Sequence, residues 1–167
     1  MVHVFDRTRK PFQFTAAGYV VSNRKVLLVT HRELRKLLPP GGHLKQDANS
    51  LFIESPEESA VREVKEETGL DVEIAGKKYV VHNSDEEMLF VPESMHIHSI
   101  DEEHDHYGFD FFCVPKSAVK ELKGEEECRW FSEEELMNYP PNMKPELPAH
   151  IRATAIQAIK RLPKREE

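Results

Sequence analysis

Three glutamates on one side of a predicted helix are the residues in this chain with the clearest chemical potential. Glu63, Glu66 and Glu67 stand at i, i+3 and i+4 spacing, where like charges destabilise a helix by about 0.2–0.5 kcal/mol per pair. Arg62 offsets part of this repulsion, whereas Lys65 projects away from the glutamates. A divalent cation would turn the repulsion into coordination, because Mg²⁺ and Mn²⁺ favour carboxylate oxygens. The alternative interpretation is a solvated acidic face.

The helix that carries these glutamates has clear end signals. Ser55 is a favourable N-cap and completes a Ser-x-x-Glu capping box with Glu58. Pro56 fits the first helical position, and Gly69 supplies a left-handed stop. The face opposite the glutamates offers three residues for packing: Val61, Val64 and Thr68. The pattern predicts a helix over residues 56–68 with one packed face and one acidic face.

The string from Glu54 to Leu70 resembles the Nudix box, whose pattern is Gly-x5-Glu-x7-Arg-Glu-U-x-Glu-Glu-x-Gly-U with U aliphatic. Eight of its nine defined positions match in register. The leading glycine is displaced, because the Gly41-Gly42 pair lies twelve residues before Glu54 where the family has six. Residues 45–53 therefore hold a six-residue insertion. The flanking segments are also similar to those of bacterial Nudix members, and the resemblance covers residues 13–160.

The elements that must position this box are short strands and helices. Strands are predicted over residues 14–21, 25–31, 72–81, 95–100, 107–114 and 128–131, and helical segments from residue 116, over 132–137 and over 148–162. Residues 83–106 are interpreted as a long polar loop around the strand at 95–100. Interleaved strands and helices favour an α/β class with a mixed sheet. The resemblance implies one Nudix domain over residues 1–167, folded as an α/β/α sandwich around that sheet.

The resemblance also implies a reaction, in which a metal-activated water attacks phosphorus in a nucleoside diphosphate linked to another group. The ligands of Mg²⁺ or Mn²⁺ would be Glu63, Glu66, Glu67 and the backbone carbonyl of Gly41. Glu66 would act directly or through water, and Arg62 would hold Glu54 and orient Glu63. Gly41 reaches the metal if the inserted residues bulge outward, which is the expected arrangement.

The general base usually lies outside the Nudix box in this family. The candidates in this chain are Glu102, Glu103, Asp105 and Asp110, of which Glu103 is favoured. The first three lie just ahead of the strand at 107–114, and Asp110 lies within it. For each of them, a solvated loop is the alternative interpretation. Together with Glu54, Arg62 and Glu66, Glu103 completes the expected catalytic set.

Candidate substrate contacts lie on both sides of the Gly-Gly turn. Arg32 and Arg35 precede it and could meet substrate phosphates, with a solvated basic loop as the alternative. Tyr107 is a candidate for stacking on a base, and Phe14 and Tyr19 are alternatives between which the sequence does not choose. The expected substrate is a small nucleotide or another diphosphate.

Two histidine pairs offer a second possible site. His96-x-His98 and His104-x-His106 each place two imidazoles on one face of an extended backbone. With Asp101 or Asp105 they could bind a transition metal. Substrate contact or a solvated loop is the favoured interpretation, because nothing in the sequence sets the distance between the pairs.

Composition excludes several classes of protein. The 167 residues carry 30 Asp and Glu against 23 Lys and Arg, a net charge of −7, which argues against a nucleic acid polymer as partner. The apolar runs are too short to span a bilayer. Two cysteines without CxxC spacing suit a reduced cytoplasm. The alternatives to hydrolysis are an inactive nucleotide-binding or regulatory module and an isomerase of isoprenoid diphosphates. A homodimer is compatible with the resemblance.

Overall fold

The computed structural model describes residues 10–82, 85–100, 102–119 and 121–162. The strands within those residues are β1 (Phe12–Ser22), β2 (Lys25–His31), β3 (Lys36–Leu38), β4 (Gly41–His43), β5 (Val72–Ile74), β6 (Ser94–Ser99), β7 (Asp105–Pro115) and β8 (Cys128–Ser132). The helices are α1 (Pro56–Thr68), α2 (Glu133–Met137) and α3 (Ala149–Arg161). No helix in these ranges combines the length and the apolar character that a bilayer crossing needs.

The long strand β1 organises a mixed sheet. It runs parallel to β7 from the pair Phe12↔Asp105 onward and antiparallel to the edge strand β4. Its end forms a hairpin with β2, in which Asn23 and Arg24 have φ angles of 50° and 59°, as tight two-residue hairpins require. β3 and β8 pair with β2. The mixed sheet that the sequence predicts is therefore confirmed.

Helices cover both faces of β1 and β7, because alternate residues of a strand point to opposite faces. α1 packs through Ala60 and Val64 against the face that includes Phe111. α3 packs through Ile151 and Ala155 against the face that includes Phe112. The predicted α/β/α sandwich is confirmed, and even-numbered residues of β7 lie on the face away from α1.

The predicted strand over residues 72–81 is wrong in its length. β5 ends at Ile74, and the next pairing is the isolated bridge between Lys78 and Phe90. The cause is competition for one edge of β7. β5 pairs with the last three residues of β7, whereas β6 pairs with β7 from Asp105 to Asp110. Residues beyond Ile74 therefore have no free strand to extend along.

The predicted helix from residue 116 is also wrong, since residues 116–119 and 121–127 contain none. This segment instead supplies backbone N–H groups to the C-terminal end of α1, where the carbonyls lack helical partners. The N–H groups of Lys123, Glu125 and Glu126 donate to the carbonyls of Thr68, Glu66 and Glu67 respectively. A Cβ on Gly124 would lie 1.9 Å from the Glu67 carbonyl oxygen, so this close approach requires glycine.

Candidate active site

The acidic helix begins and ends as its sequence predicts. The Ser55 side chain accepts from the Glu58 amide at 3.3 Å, and the Glu58 carboxylate accepts from the Ser55 amide at 2.7 Å. Gly69 ends the helix with a φ of 77°. Lys65 turns away from the glutamates and pairs with Asp71 at 2.8 Å. Fixed ends and a packed opposite face hold the glutamates on one rigid surface.

Arg62 ties three of the box carboxylates together. Its guanidinium contacts Glu54 at 2.6 and 3.0 Å, Glu63 at 2.7 Å and Glu66 at 2.9 Å, and it donates to the His43 carbonyl at 3.1 Å. The hydrogen bond from Arg62 is the main cause that lowers the pKa of Glu54. These three glutamates therefore have their charge compensated within the protein, as the Nudix resemblance implies for Glu54 and Glu63.

Glu67 has a different environment. Its carboxylate accepts the backbone N–H of Gly41 at 3.1 Å. Burial raises the pKa of Glu67 to about 7; the Gly41 hydrogen bond opposes this shift, and the neighbouring charges of Glu63, Glu126 and Glu125 add to it. Desolvation and like charge both disfavour a carboxylate. Glu67 therefore lies where negative charge exceeds the positive charge available to balance it.

Glu125 and Glu126 are members of this cluster that the sequence analysis missed. The segment that caps α1 carries them to the end of the helix beside Glu67. The Glu126 Oε2 atom is buried without a hydrogen-bond partner among the described residues, and it lies 3.7 Å from the Arg32 guanidinium. The available signal was the run of three glutamates at 125–127 following Gly124.

Two glycines bring the edge strand β4 against α1. Gly41 pairs with Ala17, and a Cβ on Gly41 would lie 2.6 Å from the Ala16 carbonyl oxygen. A Cβ on Gly42 would lie 2.4 Å from the Glu63 carboxylate. The carboxylate of Glu63 therefore rests directly on the Gly42 backbone, and any larger residue there would displace it.

The inserted residues form a small, solvent-exposed hairpin. Gln46 and Phe52 pair across it, the Asp47 amide donates to the Leu51 carbonyl, and the Ile53 amide donates to the Lys45 carbonyl. The Asp47 carboxylate accepts amide hydrogens from within the turn. Gly41 and Gly42 keep their contacts with Glu67 and Glu63 in spite of the insertion.

The structure does not bring Glu103 to the acidic cluster. Glu103 lies just before β7 and is exposed, like Glu102. The residue of β7 that lies level with Gly41 is Asp110, because both pair with Ala17 of β1. Five residues of strand between Asp105 and Asp110 span roughly 16 Å. Asp110 is buried on the face away from α1, where its carboxylate accepts from the Ser94 hydroxyl at 2.5 Å.

The predicted substrate contacts are dispersed. Arg32 reaches the acidic cluster through Glu126, whereas the Arg35 carbonyl accepts from the Glu146 amide beside β3. Tyr107 packs against Phe12 with ring centroids 4.6 Å apart. Tyr19 is fully buried in the α3-side core and has no face for a base, so that alternative is wrong.

Histidines line the face of the sheet away from α1. The Nε2 atoms of His43 and His106 lie 3.1 Å apart, and the rings of His98 and His104 lie within 5.3 Å of the His106 ring. Over the part of the chain that the structure describes, no three His, Cys, Asp or Glu side chains are grouped to hold a metal ion. Asp101, a candidate partner of these histidines, lies outside the described residues.

The donor chemistry at α1 nevertheless fits a hard divalent cation. Mg²⁺ and Mn²⁺ take carboxylate and carbonyl oxygens together with water. The Glu67 carboxylate, and the Glu126 oxygen that makes no hydrogen bond with the described residues and pairs only with the largely exposed Arg32, are donors of this type. Glu63 and Glu66 would have to share their oxygens with Arg62, which explains why no complete ligand group is assembled around this helix.

Comparisons with known proteins agree with this arrangement. The family model described as NUDIX domain matches residues 12–153. A NUDIX-family hydrolase from Clostridium perfringens is 29% identical with a TM-score of 0.70, covering 89% of this chain and 96% of that one. A MutT protein from Methanosarcina mazei is similar in fold, with 22% identity, a TM-score of 0.58 and coverage of 92% and 96%. A search of curated protein sequences found no match.

Proposed function

The chain belongs to the NUDIX family of hydrolases, and we propose that it hydrolyses the diphosphate linkage of a small nucleotide with a bound divalent cation. NUDIX hydrolases generally require such ions; the choice of Mg²⁺ or Mn²⁺ belongs to the proposal. The observation that carries it is the geometry around Glu67, whose carboxylate accepts the Gly41 N–H at 3.1 Å among further carboxylates, an arrangement that also raises its pKa. A perturbed carboxyl group of this kind is typical of a functional site.

The residues that would hold the cation are Glu63, Glu66, Glu67 and the carbonyl of Gly41. When bound, Mg²⁺ would supply Lewis acidity toward the diphosphate and favour deprotonation of the attacking water. Arg62 would keep Glu63 and Glu66 oriented, since its guanidinium contacts both. Glu54 would fix Arg62 in turn through two hydrogen bonds.

A residue other than Glu103 is the better candidate for the general base. Glu126 Oε2 makes no hydrogen bond with the described residues, and the Glu126 charge helps to raise the pKa of Glu67, whereas Glu103 lies at the far end of β7. We assign to Glu126 Oε2 the proton taken from the attacking water. Arg32, which approaches Glu126 at 3.7 Å and is largely exposed, would bind a substrate phosphate.

Substrate and assembly belong to the same proposal. The acidic chain favours a small nucleotide over a nucleic acid polymer. An ADP-ribose pyrophosphatase from Streptococcus suis has a similar fold, with 21% identity, a TM-score of 0.50 and coverage of 92% and 96%; its substrate is one candidate for this chain. A single domain over residues 1–167, cytoplasmic localisation and a homodimer remain predictions.

A nucleotide panel tests the proposal. The purified protein is incubated with nucleoside triphosphates, sugar nucleotides, dinucleotides and isoprenoid diphosphates in Mg²⁺, Mn²⁺ or EDTA. We expect release of orthophosphate, pyrophosphate or a nucleoside monophosphate from at least one nucleotide, and no release in EDTA. Isoprenoid turnover without phosphate release would instead support the isomerase, and binding without turnover would support the regulatory module.

A further inference from the structure

A cavity lies under the inserted hairpin, beside the glycine turn. Its volume is about 290 Å³, just below the range of about 300–1,000 Å³ for small-molecule sites. Six residues line it: Gln13, Phe14, His43, Leu44, Gln46 and Phe52. Two of them, Gln46 and Phe52, come from the insertion that displaces the leading glycine of the Nudix box.

The hairpin places the side chains of Gln46 and Phe52 in the wall of the cavity. Gln46 and Phe52 face each other across the hairpin, and residues paired in this way project from the same side. The Phe52 ring contacts the Phe14 ring at a centroid distance of 5.2 Å. The flanking Leu51 and Ile53 are 64% and 63% exposed, which places the opposite side of the hairpin in solvent.

The chemistry of the walls suits a flat, uncharged, hydrogen-bonding group. Phe14 and Phe52 offer aromatic surface for stacking. Gln13 and Gln46 each offer a carboxamide that both donates and accepts hydrogen bonds. None of the six lining residues is Asp, Glu, Lys or Arg, so no permanently charged side chain lines the cavity.

The cavity adjoins the strand that contacts the acidic cluster. His43 and Leu44 line it and directly follow Gly42, and the Gly42 backbone supports the Glu63 carboxylate. The cavity and the Glu63 carboxylate are therefore both in contact with the short segment Gly42 to Leu44.

We propose that the inserted hairpin forms a subsite for the nucleobase of the substrate, with Phe52 stacking on the base and Gln46 reading its edge. The subsite rests on the proposed function, because it assumes that the diphosphate lies at the α1 glutamates. Adenine is the favoured base, since a glutamine carboxamide matches its adjacent donor and acceptor. The insertion is thus a specificity element of this chain.

Equilibrium binding tests the subsite separately from turnover. Calorimetric titrations with AMP, GMP, CMP, UMP and ribose 5-phosphate compare ligands with and without a base. We expect AMP to bind at least about tenfold more tightly than ribose 5-phosphate, because stacking on one aromatic ring supports an effect of this size. Phe52→Ala and Phe52→Leu should each remove about tenfold from AMP affinity and leave ribose 5-phosphate unchanged. Phe52→Leu retains an apolar side chain beside Phe14, so a loss of AMP affinity in this variant would reflect the missing aromatic ring.

Ile53→Ala is the matched control, since Ile53 belongs to the same hairpin and faces solvent. It should bind every ligand as the unaltered protein does. Equal AMP affinity in the protein and both Phe52 variants would overturn the subsite, as would four monophosphates that bind no better than ribose 5-phosphate. EDTA-sensitive hydrolysis in that case would leave the proposed function standing. Phe52-dependent AMP binding without hydrolysis of any nucleotide would support the subsite and contradict the proposed function.

Discussion

The acidic surface of α1 has two parts that differ in how their charge is balanced. On one part, Arg62 contacts Glu54, Glu63 and Glu66 at 2.6–3.0 Å. On the other part, Glu67 has a backbone amide and further glutamates around it, and its pKa rises to about 7. The first part resembles a structural ion-pair network, and the second is an excess of negative charge held in place by it.

The difference shows how one helix can serve both stability and chemistry. Positioning residues can be neutralised, because their task is to keep a fixed geometry. Carboxylates that bind a cation cannot all be neutralised by the protein, because they would then no longer bind the cation. Their mutual repulsion therefore destabilises the metal-free protein.

The largest expected effect follows removal of charge from the uncompensated part. Glu67→Gln should lower kcat by at least about two decades, since metal stabilisation of the transition state is worth several kcal/mol and 1.36 kcal/mol is one decade. Steady-state kinetics on the best nucleotide of the panel measure this effect. Asp71→Asn is the control, because it removes the same charge from the Lys65 pair on the other side of α1. Unchanged turnover in Glu67→Gln would refute the assignment.

Breaking the compensated part should act on stability. Arg62→Lys keeps the charge but loses the planar fork that contacts three carboxylates at once. We expect the free energy of unfolding to fall by about 2 kcal/mol, because Glu54 and Glu63 are mostly buried and would lose their partner. Urea denaturation measures the change. A variant as stable as the unaltered protein would show that Arg62 does not hold this network together.

A smaller effect is expected at the contact between β4 and α1. Gly42→Ala places a methyl group against the Glu63 carboxylate, which would shift the carboxylate without straining a left-handed backbone. We expect kcat/KM to fall about tenfold, as moderate misplacement of a catalytic group does, while the unfolding midpoint changes little. Wild-type kcat/KM would show that the position of Glu63 on Gly42 is not required.

The smallest expected effect is a pH dependence of stability. The pKa of Glu67 is about 7 in the folded protein, above its usual value, so the stabilisation present below about pH 4.5 is lost as the pH rises through 7. In EDTA, Glu67→Gln should therefore gain about 1 kcal/mol over the unaltered protein between pH 5 and 8, after allowance for partial exposure. Parallel stability profiles of the two proteins would contradict this.

The sequence is sufficient for α1 because its signals are local. The Ser55–Glu58 capping box, Pro56 and Gly69 each act within one turn of the helix, and the structure confirms the boundaries they predict. The acidic cluster is only partly local, since Glu63, Glu66 and Glu67 are visible as spacing in the chain. The family resemblance adds the positions of Gly41 and Arg62.

The rest depends on contacts distant in sequence. Residues 121–127 carry no local signal that excludes a helix, and their hydrogen bonds to the open carbonyls at the end of α1 account for their position. The run of glutamates at 125–127 does not by itself show that Glu126 joins the cluster, and the sequence favours Glu103 as the base instead. The length of β5 likewise depends on which strand occupies the edge of β7.

Binding of Mn²⁺ tests the central claim most directly, namely that a divalent cation binds at the acidic surface of α1 with Glu67 among its ligands. Electron paramagnetic resonance titrations would compare the unaltered protein with Glu67→Gln, Glu126→Gln and the Asp71→Asn control. We expect a saturable Mn²⁺ site whose affinity falls at least about tenfold in the first two variants and not in the control. No saturable site in the unaltered protein, or equal affinity in all four proteins, would contradict it.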